Sequence, residues 1–284
     1  MTRPLTIGAV AYDPKVVTIW EGFAAWLGAQ GLPTDYVLYG NYERLVAGHL
    51  AGECDVAWNS PLAWLETERI CRAQGKEAVA FAMRDTDRDL TSVIVVRADG
   101  PDTVEALRGK RVGTGAHDSP QGTLIPLVVL QRGGVAPEEV TVRAFDVMPG
   151  KHGDHVGGER DAAKALVAGE VDAACMIDAN QLAFAREGTL PAGVRVLARS
   201  APYDHCVFTA IRGHRDAGWA RLGELLLSMR FEDPEVRPLL ELEGLKVWKE
   251  GRTTGFEQLA AAIDGLSSLG AERVRTFIRD GGPR

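Results

Sequence analysis

The chain is short of the residue patterns that mark most binding chemistries. It has four cysteines among 284 residues, Cys54, Cys71, Cys175 and Cys206, and no two of them stand in CxxC spacing. Neither a zinc knuckle nor a thioredoxin-type redox pair is therefore indicated. Cys54 and Cys175 fall within or beside short apolar runs, where a small core hydrophobe is the expected role. No apolar run approaches the roughly 20 residues needed to span a bilayer, so no membrane insertion is expected. The segment Met1 to Gly8 also lacks the roughly 7–15 apolar residues of a signal-peptide core. As written, the chain is expected to be cytoplasmic, or periplasmic or extracellular if a leader has been removed. Net positive charge is lacking as well: the formal net charge of −7 argues against a nucleic-acid or anionic-membrane partner, since both need clustered Lys and Arg. It leaves room for one small anion in a local pocket. P-loop and dinucleotide fingerprints are missing, because the glycines fail the spacing.

What the sequence does contain is a phrase used twice: Ala51-Gly52-Glu53-Cys54-Asp55-Val56-Ala57-Trp58-Asn59 and Ala168-Gly169-Glu170-Val171-Asp172-Ala173-Ala174-Cys175-Met176. Each copy ends an apolar helical stretch with Gly, the residue suited to a left-handed C-cap, and then starts a short run that reads as a buried strand. A helix-start signal follows each time, Asn59-Ser60-Pro61 and Asp178-Ala179-Asn180. Helix starts at the carboxyl ends of parallel strands carry free backbone N–H groups and suit small ligands. Two such units suggest two lobes. Asp55 and Asp172, at equivalent places, are expected to shape the helix-to-strand turn.

Along the chain, strand and helix alternate through the first two thirds, the pattern of a parallel or mixed α/β sheet. Val16, Ile19, Trp20, Phe23 and Leu27 recur at helical spacing, and Trp20, Trp26 and Trp64 read as core. The charged run Arg84 to Asp89 precedes a β-branched strand, Thr91 to Val96, and marks the expected first lobe crossing. The expected domains are residues 1–87 (lobe 1), 88–215 (lobe 2) and 216–284, a helical segment returning to lobe 1.

In this order the segments resemble the type II periplasmic solute-binding fold, and within it the phosphate/phosphite/phosphonate ABC-transporter substrate-binding family. The resemblance covers nearly the whole chain. It rests on the first strand with its Tyr12 loop, Asp55 to Ser60, Ser92 to Val96, Val104 to Gly113, His117-Asp118-Ser119-Pro120-Gln121-Gly122, and Ala165 to Ala173. It implies an α/β, two-lobed fold, each lobe a mixed, mostly parallel sheet flanked by helices, with a ligand cleft between the lobes. The implied function is a small-molecule binding protein that closes on an oxyanion or zwitterionic ligand, phosphonate- or phosphate-like, with an ABC-transporter permease as partner if the chain is exported. Carried over by position, the ligand contacts are Tyr12, Trp58, Asn59 and Ser60 from lobe 1 and Ser119, Gln121, Thr123, Glu159 and Asp178 from lobe 2. For Trp58 a plain core role is an equal alternative. His117, Asp118 and His155 join the candidate contacts. The family's Ser-Thr-Ser cluster is replaced here by Asp118-Ser119-Pro120-Gln121-Gly122, with one hydroxyl before Thr123. The nearby carboxylates Asp154, Glu159, Asp178 and Asp204 would suit an ammonium group or a metal rather than a phosphonate dianion.

Four of the six histidines, His117, His152, His155 and His205, fall in expected loops of lobe 2. His152, Asp154 and His155 are residue types that bind a divalent transition metal, the one candidate cofactor, although they match no tight motif. A solvated Gly-rich loop is the plain alternative. The competing function is a cytoplasmic enzyme on the same scaffold, resembling the leaderless chorismate dehydratase-like and thiamine-pyrimidine-synthase-like members, with His155, Glu159, His205 and Cys206 as acid/base or nucleophilic candidates. The binding protein is the first reading and the enzyme the second.

Overall fold

The computed structural model describes residues 3–11, 14–117, 119–145 and 155–265, with residues 155–157 described for the backbone alone. In chain order the first elements are β1 (Leu5–Val10), α1 (Lys15–Ala29), β2 (Thr34–Tyr39), α2 (Tyr42–Ala51), β3 (Val56–Asn59), α3 (Pro61–Ala73) and β4 (Ala78–Arg84). Next come β5 (Ser92–Val96), β6 (Arg111–Thr114), a π-helical turn (Pro120–Leu124) leading into α4 (Ile125–Arg132), β7 (Thr141–Ala144), α5 (His155–Val167), β8 (Ala173–Ile177) and α6 (Asp178–Arg186). The described chain closes with β9 (Arg195–Arg199), β10 (Val207–Ile211), α7 (Asp216–Ser228), α8 (Arg237–Glu243), β11 (Trp248–Glu250) and α9 (Glu257–Gly265).

The chain forms two compact units. The first runs up to Asp89 and resumes over Asp204–Phe256; the second takes Leu90–Tyr203 and the segment from Glu257. The first unit holds a six-stranded sheet in the order β11-β4-β10-β3-β1-β2, and the second a five-stranded sheet in the order β7-β6-β8-β5-β9. In the first sheet β1 pairs in parallel with β2 and β3, while β10 runs antiparallel to both β3 and β4. In the second, β6 pairs in parallel with β7 and β8, while β5 runs antiparallel to both β8 and β9. Read from the other end, β9-β5-β8-β6-β7 matches β4-β10-β3-β1-β2 strand for strand and direction for direction. The fold is thus two mixed α/β sheets flanked by helices.

The repeated phrase has the same local structure in both units. Gly52 and Gly169 take φ of 78° and 74°, the left-handed region that an L side chain rarely adopts. Three residues on, Asp55 donates its backbone N–H to the Thr6 carbonyl and accepts the Thr6 N–H on its carboxylate, both at 2.8 Å. Asp172 does the same to Arg111, at 2.8 Å and 2.9 Å. Each aspartate therefore pins the start of a parallel strand (β1 or β6) to its neighbour, as its place in the turn suggested.

The core of the first unit includes Val16, Ile19, Trp20, Phe23 and Leu27 of α1, all buried at the predicted helical spacing, against Trp58, Phe208 and Trp248. Each such side chain contributes roughly 1.5–3 kcal/mol on burial. In the second unit Val93 and Val95 pack with Leu166, Met176 and Phe184.

Several expectations differ from the structure. The return to the first unit falls at Tyr203/Asp204 rather than at 215, because β10 fills the place between β3 and β4 in the first sheet. The segment from Glu257 joins the second unit, where α9 packs on α4. Strands β4 and β11 were not expected. The first is an Ala-rich strand held by two antiparallel neighbours, and the second has three residues at a sheet edge. Pairing partners distant in sequence decide both. The helix expected near residues 103–107 is a single 3-10 turn, Glu105–Leu107.

Candidate functional site

In the second unit, the carboxyl end of β6 runs through Gly115 and Ala116 into a tight turn capped by Ser119. The Ser119 hydroxyl, fully buried, accepts the Gly122 N–H at 3.0 Å, and its carbonyl accepts the N–H groups of Thr123 and Leu124. Among the described residues its own O–H has no acceptor. Thr123 differs: its hydroxyl donates to the Ala116 carbonyl at 2.7 Å, so only acceptor capacity is left. The Gln121 carbonyl accepts from Ser92 Oγ at 2.7 Å, and Ser92 Oγ lies 2.8 Å from the Tyr203 hydroxyl, which fixes the turn to β5. Gln121 is 5% exposed, and its amide oxygen has no hydrogen-bond partner among the described residues. His117 is half-buried in the same turn.

The carboxylates nearby are already engaged. Glu159 of α5 is fully buried; it accepts the Ile177 N–H at 2.9 Å and the Asn180 amide at 2.8 Å, joining α5 to the start of α6. It also lies under the turn, where a Cβ on Gly122 would meet Oε1 at 3.2 Å. Asp178 accepts from Thr91 Oγ1 at 2.7 Å and from Arg199 at 3.1 Å.

In the first unit, Trp58 at the end of β3 packs into the aromatic core, 4.8 Å from Phe208 and 5.7 Å from Trp248 between ring centroids, with the Arg84 guanidinium 5.3 Å from its ring. Asn59 is fully buried and donates to Thr209 Oγ1 at 3.0 Å and to Thr67 Oγ1 at 3.4 Å. Its amide oxygen has no partner among the described residues. Ser60 caps α3, accepting the Ala63 N–H at 3.3 Å, with Pro61 at the first helical position.

His205 and Cys206 also belong to the first unit, whereas Glu159 belongs to the second. His205 Nδ1 lies 3.1 Å from Cys206 Sγ and 3.4 Å from Asp87 Oδ1. Burial opposes charge on this imidazole, yet the Cys206 sulfur and Asp87 hold its pKa up to about 10. For Asp87, burial is outweighed by Arg84 and His205, which bring the carboxyl down to about 2. Arg84 also reaches Glu243, whose carboxyl burial raises to about 7. Asp204 accepts from Arg252 on both oxygens, at 2.5 and 2.6 Å. Tyr12, Asp118, His152 and Asp154 lie outside the described residues, as does the side chain of His155. Sequence reasoning missed Arg84 and Asp87, because a run of alternating charge reads as solvated, whereas the structure buries Asp87 to 1% exposure.

Comparison with known proteins agrees with this architecture. No curated protein sequence matches. Among solved structures, PhnD1 from Prochlorococcus marinus in complex with methylphosphonate is similar at 17% identity and a TM-score of 0.65, over 91% of this chain and 96% of that one. A binding protein component of an ABC phosphonate transporter from Pseudomonas aeruginosa is similar at 15% identity and a TM-score of 0.60, over 99% and 95%. The periplasmic aliphatic sulphonate binding protein SsuA from Escherichia coli gives 16% identity and a TM-score of 0.54, over 93% and 84%. These likenesses establish the fold, and they lend no support to an enzyme on this scaffold. The family model for the ABC-transporter phosphonate periplasmic substrate-binding protein matches residues 7–262, and the chain belongs to that family.

Proposed function

We propose that this protein is the solute receptor of an ABC importer, binding a small phosphonate-type oxyanion outside the cytoplasm and delivering it to the permease. Family membership carries the class: a small-molecule ligand and a transporter permease as partner. The observation that supports the oxyanion is the Ser119 turn. A buried hydroxyl that meets no acceptor among the described residues stands at a helix start after a parallel strand, where backbone dipoles favour negative charge.

Two of the four carboxylates that argued for an ammonium-bearing ligand, Asp178 and Asp204, weigh less once their partners are known. Asp178 is paired with Arg199 and Asp204 with Arg252, so neither presents an uncompensated negative charge. A plain phosphonate or sulfonate is therefore favoured over an aminophosphonate or amino acid. From the first unit, Ser60 at the β3–α3 turn is the proposed contact; Asn59, whose amide N–H groups are donated to Thr209 and Thr67, and Trp58, packed into the core, serve to hold that turn. Thr123 and Glu159 are proposed to shape the Ser119 turn rather than donate to the anion. No metal is needed in this reading.

Calorimetric titration of Ser119→Ala with methylphosphonate tests the turn. Loss of one hydrogen bond to a charged group costs roughly 1.5–3 kcal/mol, so the variant is expected to bind about tenfold or more weakly than wild type. Unchanged affinity in a folded variant would remove Ser119 from the site.

A further inference from the structure

We propose that Asp87, His205 and Cys206 form a binding site for a thiophilic divalent transition metal such as Zn²⁺ or Co²⁺. Three donors of different type converge there. One oxygen of Asp87, a ring nitrogen of His205 and the sulfur of Cys206 all lie within 4.8 Å of one another. The individual approaches to Nδ1, 3.1 Å from Sγ and 3.4 Å from Oδ1, are of the order of the edges of a tetrahedron built on metal–ligand bonds of about 2.0–2.3 Å.

The backbone presents these donors rigidly. Asp87 follows the end of β4 in a 3-10 turn, and His205 and Cys206 precede β10, the strand paired antiparallel with β4. The His205 N–H donates to the Asp87 carbonyl at 2.8 Å, which ties the two ligand-bearing segments directly. Arg84 orients the carboxylate, with Nε 2.5 Å from Oδ2 and the second contact, 3.0 Å, on Oδ1. A carboxylate oxygen has two lone-pair sites, so Oδ1 can keep that bond and still ligate, with Arg84 as the outer partner that fixes its direction.

The donor set selects the ion. A thiolate beside an imidazole and one carboxylate suits Zn²⁺, Co²⁺ or Ni²⁺ and disfavours Mg²⁺ and Ca²⁺, which want oxygen throughout. Three protein ligands leave the fourth position to water. Cys206 is 5% exposed and the His205 side chain 17%, so the ion enters past the imidazole edge. A metal needs the neutral imidazole and the thiolate, so binding releases protons to solvent and tightens as pH rises. The metal then staples the end of β4 to the start of β10.

Titration of the reduced full-length protein with Co²⁺ tests the site by absorption, through the charge-transfer band that only a thiolate ligand gives. The expected result is a saturable band at one equivalent that is lost in Cys206→Ser and kept when Cys54, Cys71 and Cys175 are all changed to Ser. Loss of the band in either variant is interpreted only with folding checked by circular dichroism, and either variant alone assigns the sulfur. Saturable Co²⁺ binding without the band, a band that survives Cys206→Ser, or no binding in wild type would each overturn the proposal. Binding that vanishes in His152→Ala while the Cys206→Ser variant binds normally would place the metal on the histidine-rich segment instead.

Discussion

His49 shows how one buried side chain contributes to the pH response of the first unit. It is 2% exposed at the end of α2, and burial, against the pull of Asp55, pushes its imidazole down to about 4. The unfolded chain takes up a proton near pH 6.5, so between pH 6.5 and 4 it binds more protons than the folded state, and stability falls as pH falls. The effect between pH 7 and 4 is roughly 3 kcal/mol. Urea unfolding at pH 7 and pH 4 should show the wild type losing about that much more stability than His49→Gln; parallel profiles would mean that His49 titrates normally in the fold. Legibility at this scale was uneven. The helical spacing of Val16, Ile19, Trp20, Phe23 and Leu27 was enough to identify a buried face. The burial of Asp87 was not, because its compensation comes from Arg84 and from His205, over a hundred residues away. Ser119 and Thr123 could be named from position, but which way each hydroxyl bonds, Ser119 accepting the Gly122 N–H and Thr123 donating to the Ala116 carbonyl, depends on the turn itself.

At the level of elements, the two sheets share one plan with unequal tolerance. Gly8 of β1 and Gly113 of β6 occupy matching places, paired with Ala57 and Ala174. A Cβ on Gly8 would meet Cys54 Sγ at 2.6 Å and Leu45 Cδ1 at 2.7 Å, whereas one on Gly113 would find its nearest neighbour, Val171 Cγ2, at 3.2 Å. Overpacking of this kind costs about 1–3 kcal/mol. Gly8→Ala is therefore expected near the top of that range and Gly113→Ala near the bottom, as read by denaturant midpoints; equal losses would show that the first sheet yields as readily as the second. The duplicated Gly–x–x–Asp phrase made the α2–β3 and α5–β8 units legible because both of its functions, a left-handed cap and a backbone clamp, are local. Strand β4 was not legible, since an Ala-rich segment becomes a strand through β10 on one side and β11 on the other. For the same reason the chain's return was placed late: nothing local in Val207–Ile211 reveals that it completes the first sheet.

For the whole molecule, the sequence already pointed to a type II solute-binding fold, and the paired sheets and the family match establish it. Ligand class is the harder question, because one fold serves many solutes. The ion pairs of Asp178 and Asp204 shift the balance toward a simple oxyanion. The most direct measurement is isothermal titration of the purified full-length protein with methylphosphonate, set beside ethanesulfonate, inorganic phosphate and 2-aminoethylphosphonate at one pH. The account predicts one-to-one saturable binding of methylphosphonate or ethanesulfonate, tighter than that of 2-aminoethylphosphonate. Tighter binding of the ammonium-bearing ligand, or no binding of any member of the panel, would contradict it.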